Sequence, residues 1–143
     1  MANKKVKIIE EDIKEIVQEL GNLGKEFNGK TILISGGAGF LGRYLVLTLD
    51  YLNKFILEQP CKIIVLDNFI TGLKDTIKPN ENLVLIKHDV SKVIKIDGSI
   101  DYILHAASIA SPVFYNQFRL ETIDVGFLGT KNIYSTRSSS FSA

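Results

Sequence analysis

Three glycines, Gly36, Gly39 and Gly42, stand three residues apart in Gly36-Gly37-Ala38-Gly39-Phe40-Leu41-Gly42, directly after a short apolar run. Each spacing has a physical use. Gly36 permits a tight turn out of a strand, and Gly39 lets backbone N–H groups approach a pyrophosphate with no side chain between. Gly42 lets the following helix pack closely on the strand. The free N–H groups and positive dipole end of that helix then face the phosphates. In such a site an acid about 20 residues further on takes the ribose hydroxyls. Asp67 stands at the end of the next apolar run, 25 residues past Gly42. A carboxylate there accepts hydrogen bonds from the adenosine ribose and repels a 2′-phosphate, which selects NAD over NADP. Arg43 is the one cation placed to favour a 2′-phosphate instead.

The elements that must hold these residues follow from periodicity. Ile9, Ile13, Ile16, Leu20, Leu23 and Phe27 recur at spacings of four and three, with charged residues between them. This pattern predicts an amphipathic helix within residues 1–29, closed by Asn28-Gly29. Its stripe suits a helix laid over its own domain, or one that pairs with a second copy. Strands are expected at Thr31–Ser35, Cys61–Leu66, Leu83–Ile86 and Tyr102–Leu104. Helices are expected at Leu41–Ile56 and Glu121–Tyr134, the second weakened by Gly126 and Gly129. Apolar, β-branched strands alternating with helical or looped crossovers predict an α/β fold, a Rossmann-type parallel sheet of about four strands. The nucleotide-binding domain then spans residues 30–134, and the Ser-rich segment 135–143 reads as a disordered tail.

Taken in order, the glycine turn, Asp67-Asn68-Phe69, His88-Asp89-Val90 and His105-Ala106-Ala107-Ser108 resemble the NAD-dependent epimerase/dehydratase family, the extended short-chain dehydrogenases/reductases. Asp67-Asn68-Phe69-Ile70-Thr71-Gly72 is similar to a segment of UDP-glucuronate decarboxylases, and Ala110-Ser111-Pro112 with Tyr115 resembles their substrate-side loop. The resemblance implies a role for each position. Phe40 and Leu41 would line the pyrophosphate turn, and Asp67 and Asn68 would hold the adenosine ribose. Thr71 and Gly72 would close over the adenosine half, with Asp89 and Val90 flanking the adenine. Ala106, Ala107 and Ser108 would run beneath the nicotinamide, while Ser111 and Tyr115 would face the sugar of a nucleotide sugar, a UDP-sugar by this likeness. Two positions depart from the pattern: Ile109 stands where close members carry proline, and Gly126 where they carry asparagine.

The family's chemistry also uses a tyrosine with a lysine four residues later, because a phenol of pKa about 10 is a poor base at neutral pH without a neighbouring cation. None of Tyr44, Tyr51, Tyr102, Tyr115 and Tyr134 has that partner, so no catalytic residue is assigned. His105 reads as a packed core histidine and His88 as a strand-end residue. Cys61, the single cysteine, heads an apolar run and reads as core.

With 45% apolar and 23% charged residues and a net charge of +1, the chain carries no field that would recruit nucleic acid or an anionic membrane. No metal-ligating set stands out, and no apolar stretch is long enough to span a bilayer. A cytoplasmic location is therefore expected. The fourth strand lacks a fifth to pair with, so a homodimer is expected, through that open edge or through the N-terminal helix. These features together read as the NAD-binding portion of a sugar-nucleotide-modifying enzyme of decarboxylase, dehydratase or epimerase type, inactive on its own. The alternative is a non-catalytic nucleotide-binding or oligomerisation module.

Overall fold

The computed structural model describes residues 2–72 and 74–138. Four strands, β1 (Thr31–Ser35), β2 (Lys62–Asp67), β3 (Leu83–Lys87) and β4 (Tyr102–His105), form one parallel sheet in the order β3-β2-β1-β4. The chain builds outward from β1 to β3, then crosses to the other side of β1 for β4. A crevice therefore opens at the carboxyl ends of β1 and β4, where the winding reverses.

Side chains of a strand alternate between faces, and the two faces here hold separate apolar clusters. Ile32, Ile34, Ile63 and Val65 pack beneath α2 (Phe40–Phe55) with Val46, Leu49 and Leu52. Leu33, Ile64 and Leu66 turn the other way, onto Val90, Val125 and Ile133. Cys61 is fully buried just before β2, with its backbone amide and carbonyl both bonded to the Asn53 side chain at 2.8 Å. Burial pushes its thiol up to about 11, so it is a core residue without thiolate character at neutral pH.

The N-terminal helix, α1 (Ala2–Leu20), continues as a 3-10 turn over Gly21–Phe27. It lies on α2, where Tyr44 Oη donates to Asp12 Oδ2 at 2.7 Å, and Ile13 and Val17 enter the cluster beneath α2. The four-three stripe is not buried as a whole: Ile16 is 36% and Leu23 68% exposed. Gly21, at φ +50°, ends the regular helix, and three residues per turn thereafter rotate Leu23 out to solvent. At the open edge of β4 the 3-10 turn makes a contact, where Phe27 meets Tyr102 edge-on at 5.6 Å.

The expected closing helix is longer and broken. It runs as α3 (Pro112–Gln117), α4 (Arg119–Asp124), a π turn (Val125–Gly129) and α5 (Thr130–Ser138). Phe118, at φ −118° and ψ 57°, separates α3 from α4. The helix thus continues four residues into the segment read as a tail, because Ile133 and Thr136 are buried and anchor it. The remainder of that segment, 139–143, lies outside the described residues. Among the described residues no helix is long and apolar enough to cross a membrane.

Candidate functional site

The glycine turn sits at the carboxyl end of β1. Gly36 donates its amide to the Leu66 carbonyl at 2.7 Å and adopts φ +69°, a conformation that disfavours a side chain. Space forbids one as well, since a Cβ there would lie 2.5 Å from Ala107 Cα. Gly42 approaches the same turn from α2, and a Cβ would fall 2.0 Å from the Gly36 carbonyl oxygen. Gly39 is the N-cap of α2 and provides no side-chain cap, so the first N–H groups of that helix lack the usual side-chain acceptor.

Asp67 ends β2 at 7% exposure, facing the turn. Its Oδ2 accepts the Ala38 amide at 2.9 Å and its Oδ1 the Phe69 amide at 2.8 Å. The second bond holds Phe69 at φ +61°, rare for a side-chain-bearing residue. A carboxylate has about four lone-pair positions, so two remain for ribose hydroxyls.

One cleft gathers nine of the residues expected from the sequence: Gly36, Gly39, Asp67, Asn68, Thr71, Val90, Ala106, Ala107 and Ser108. Gly42 stands directly behind it, and Gly72 packs against Asp67 Oδ1 and Ala38. Others lie outside the lining. Phe40 and Leu41 are 73% and 70% exposed, because the first turn of α2 directs them away from the sheet. Asp89 Oδ1 accepts the Ser91 amide in a local turn. Ser111 caps α3 with its carbonyl, and Tyr115 is 42% exposed on that helix, beyond the cleft.

Four residues join the lining that the sequence did not single out for it: Leu66, His88, Ile109 and Val125. His88 carries a buried Nε2 with no hydrogen-bond partner. The pairing of β3 with β2, where the His88 amide donates to the Asp67 carbonyl, brings it there. The histidine-aspartate-valine motif marked the position without revealing its direction. Arg43, conversely, lines a separate groove between α1, α2 and residues 75–80, so it does not offer its charge to the cleft. His105 is half-buried beside Ser35, as a core histidine should be, and burial moves its pKa below the ordinary value, partly offset by a bond to the Val125 carbonyl. Glycine cradle, uncapped helix end, spare carboxylate lone pairs and an orphaned ring nitrogen together suit a dinucleotide.

Comparison with known proteins agrees with this geometry. Residues 32–139 match the NAD dependent epimerase/dehydratase family. The chain is 40% identical to UDP-glucuronic acid decarboxylase 5 of Arabidopsis thaliana, over 71% of this chain and 28% of that protein. It is 34% identical to UDP-glucuronic acid decarboxylase 1 of Xenopus tropicalis, over 91% of this chain and 32% of that protein. The chain thus spans about a third or less of the curated relatives it matches. Among solved structures, the epimerase Mth375 of Methanothermobacter thermautotrophicus superposes with a TM-score of 0.68 at 20% identity, covering 85% of this chain and 36% of that one. The Bordetella bronchiseptica enzyme WbmF, solved with NAD+, gives 0.66 at 19% identity, covering 78% and 33%.

Proposed function

The chain belongs to the NAD-dependent epimerase/dehydratase family, and from that premise we propose that it is the NAD-binding portion of a sugar-nucleotide-modifying enzyme. The observation that carries this reading is the pairing of the glycine turn with Asp67 across one cleft. The α2 N-terminus would receive the pyrophosphate, and Asp67 the adenosine ribose. Asn68, Thr71, Val90 and His88 would enclose the adenosine half. Ala106, Ala107 and Ser108, following β4 on the other side of β1, would support the nicotinamide half. NAD supplies a hydride acceptor at a sugar carbon. The protein's part is to orient it and shield it from water.

The relatives named UDP-glucuronic acid decarboxylases favour a UDP-sugar as the substrate of the whole enzyme. Ser111 and Tyr115 are the candidate contacts, reached if α3 shifts toward the cleft. These 143 residues contain no Tyr-x-x-x-Lys, so on their own they bind cofactor without turning over sugar. A positioned acid–base group typically contributes about 10² to 10⁴-fold. A cytoplasmic homodimer completes the reading.

Titration with NAD tests it. Ligand at 100 times its dissociation constant should add about 2.7 kcal/mol of stability. A melting temperature unmoved by millimolar NAD overturns the proposal. Release of CO₂ from UDP-glucuronate by the purified chain would overturn the claim of inactivity. The second reading, a nucleotide-binding module without catalysis, rests on the same missing pair and predicts binding of ADP and NAD with equal affinity.

A further inference from the structure

One layer beneath the cleft, at the carboxyl ends of β1 and β4, lies a polar chain that the proposed function leaves without a role. Ser35 and His105 are register partners, and Ser35 is fully buried. Ser35 Oγ stands 2.5 Å from His105 Nδ1 and also meets the Ala107 amide at 3.4 Å. The Val125 backbone, at the start of the π turn, also acts on the ring and opposes the effect of burial on its pKa. Gly129, at the end of that turn, leaves room for the ring: a Cβ there would be 3.4 Å from Cε1 and 3.5 Å from Nε2.

The partners determine the direction of the chain. With the Ser35 hydroxyl at Nδ1 and the Val125 backbone acting on the ring as an acceptor, the arrangement assigns the ring hydrogen to Nε2. Burial disfavours a charged ring, which leaves Nδ1 as an acceptor for the Ser35 hydroxyl. Ser35 in turn offers a lone pair to the Ala107 amide. Every donor points the same way, from Ala107 through Ser35 and His105 to Val125. Both ends of this chain line the cleft, and neither middle member does. Ala107 is also the backbone against which Gly36 closes. Asp67, on β2, marks the adenosine side, so the loop after β4 serves the opposite half of a dinucleotide.

We infer that Ser35 and His105 are positioning residues that set Ala107 and Val125 for the nicotinamide half of the cofactor. This rests on the NAD-binding reading. It assigns the pair a function in ligand discrimination, not only in packing.

Affinities for NAD and for ADP, which lacks the nicotinamide riboside, separate the two, measured on the full chain and on Ser35→Ala, His105→Phe and His105→Gln. Ser35→Ala and His105→Phe should weaken NAD about tenfold, one hydrogen bond's worth, while ADP affinity stays within about twofold by the same scale. His105→Gln, which keeps a donor and an acceptor, should recover most of the loss. Equal weakening of both ligands, or no weakening of either, overturns the inference. Nitrogen NMR of the unmodified chain is independent of how the variants fold. It should show Nε2 protonated and Nδ1 bare, with a shift change on adding NAD and none on adding ADP. The opposite tautomer, or identical responses to both ligands, also overturns it. A chain that binds neither ligand removes the cofactor reading itself, and this inference with it.

Discussion

Asp67 Oδ2 accepts the Ala38 amide at 2.9 Å, which makes the acid at the end of β2 and the glycine turn after β1 a single unit. The same carboxylate also holds the Phe69 amide. Its structural task, shaping the turn, and the proposed one, meeting the ribose, predict two separable losses.

Replacing Asp67 with Ala should lower NAD affinity and narrow the preference over NADP, because repulsion of a 2′-phosphate disappears. It should also cost about 1–3 kcal/mol of stability, since two amides lose their acceptor. Calorimetric titration with both dinucleotides and a denaturant melt measure these effects. Equal NAD and NADP affinity in the unmodified chain would contradict the assignment.

Two glycines should respond in opposite ways to Ala. At Gly42 the new Cβ meets backbone 2.0 Å away, which cannot yield without moving the turn. A loss of about 3 kcal/mol or more, or failure to fold, is expected. At Gly126, exposed in the π turn, nothing lies within 4 Å. There Ala should be neutral or stabilise by about 0.5–1 kcal/mol, because it restricts the unfolded chain. Urea melts of both variants decide the matter.

His105 titrates below its ordinary value of 6.5 in the folded state, chiefly because burial disfavours its charge. The unfolded chain then binds the proton more readily. Its contribution is complete above pH 6.5 and is lost as pH falls from there through the lowered folded value. Stability should therefore decline on mild acidification, and His105→Phe should flatten that decline. Parallel slopes for both proteins between pH 5 and 7, read from denaturant midpoints, would assign it to other groups.

The proposed homodimer has a further candidate surface besides the open edge of β4 and the N-terminal helix. Leu120, Ile123, Phe127 and Tyr134 are 64–74% exposed along α4, the π turn and α5. Val125, Gly129 and Ile133 bury the opposite face against the sheet. Packing of these apolar side chains against a second copy would form the seam. Light scattering at tens of micromolar should show a dimer, and Phe127→Glu should give a monomer. A monomeric unmodified chain refutes the association, and a dimeric Phe127→Glu variant refutes the seam.

The four strands, the glycine turn and Asp67 were legible because each depends on short-range order. Apolar β-branched runs, glycines three apart and an acid at a strand end state their needs within a few residues. The fate of the N-terminal stripe was not legible, since one positive-φ glycine at position 21 changes the phase of everything after it. Arg43 follows the turn directly in sequence, yet the direction of α2 places it in another groove. His88 and His105 show the same limit. Each stands in a recognisable motif, but whether its ring meets a cleft, a serine or a carbonyl depends on strands and helices distant in the chain. Ser35 and His105 are 70 residues apart and meet only because β1 and β4 are parallel neighbours in register. The sequence by itself determined the four strands, the glycine turn and the acid that follows it. Only the tertiary structure decided which polar groups face one another, because register and helix rotation are properties of packing between segments.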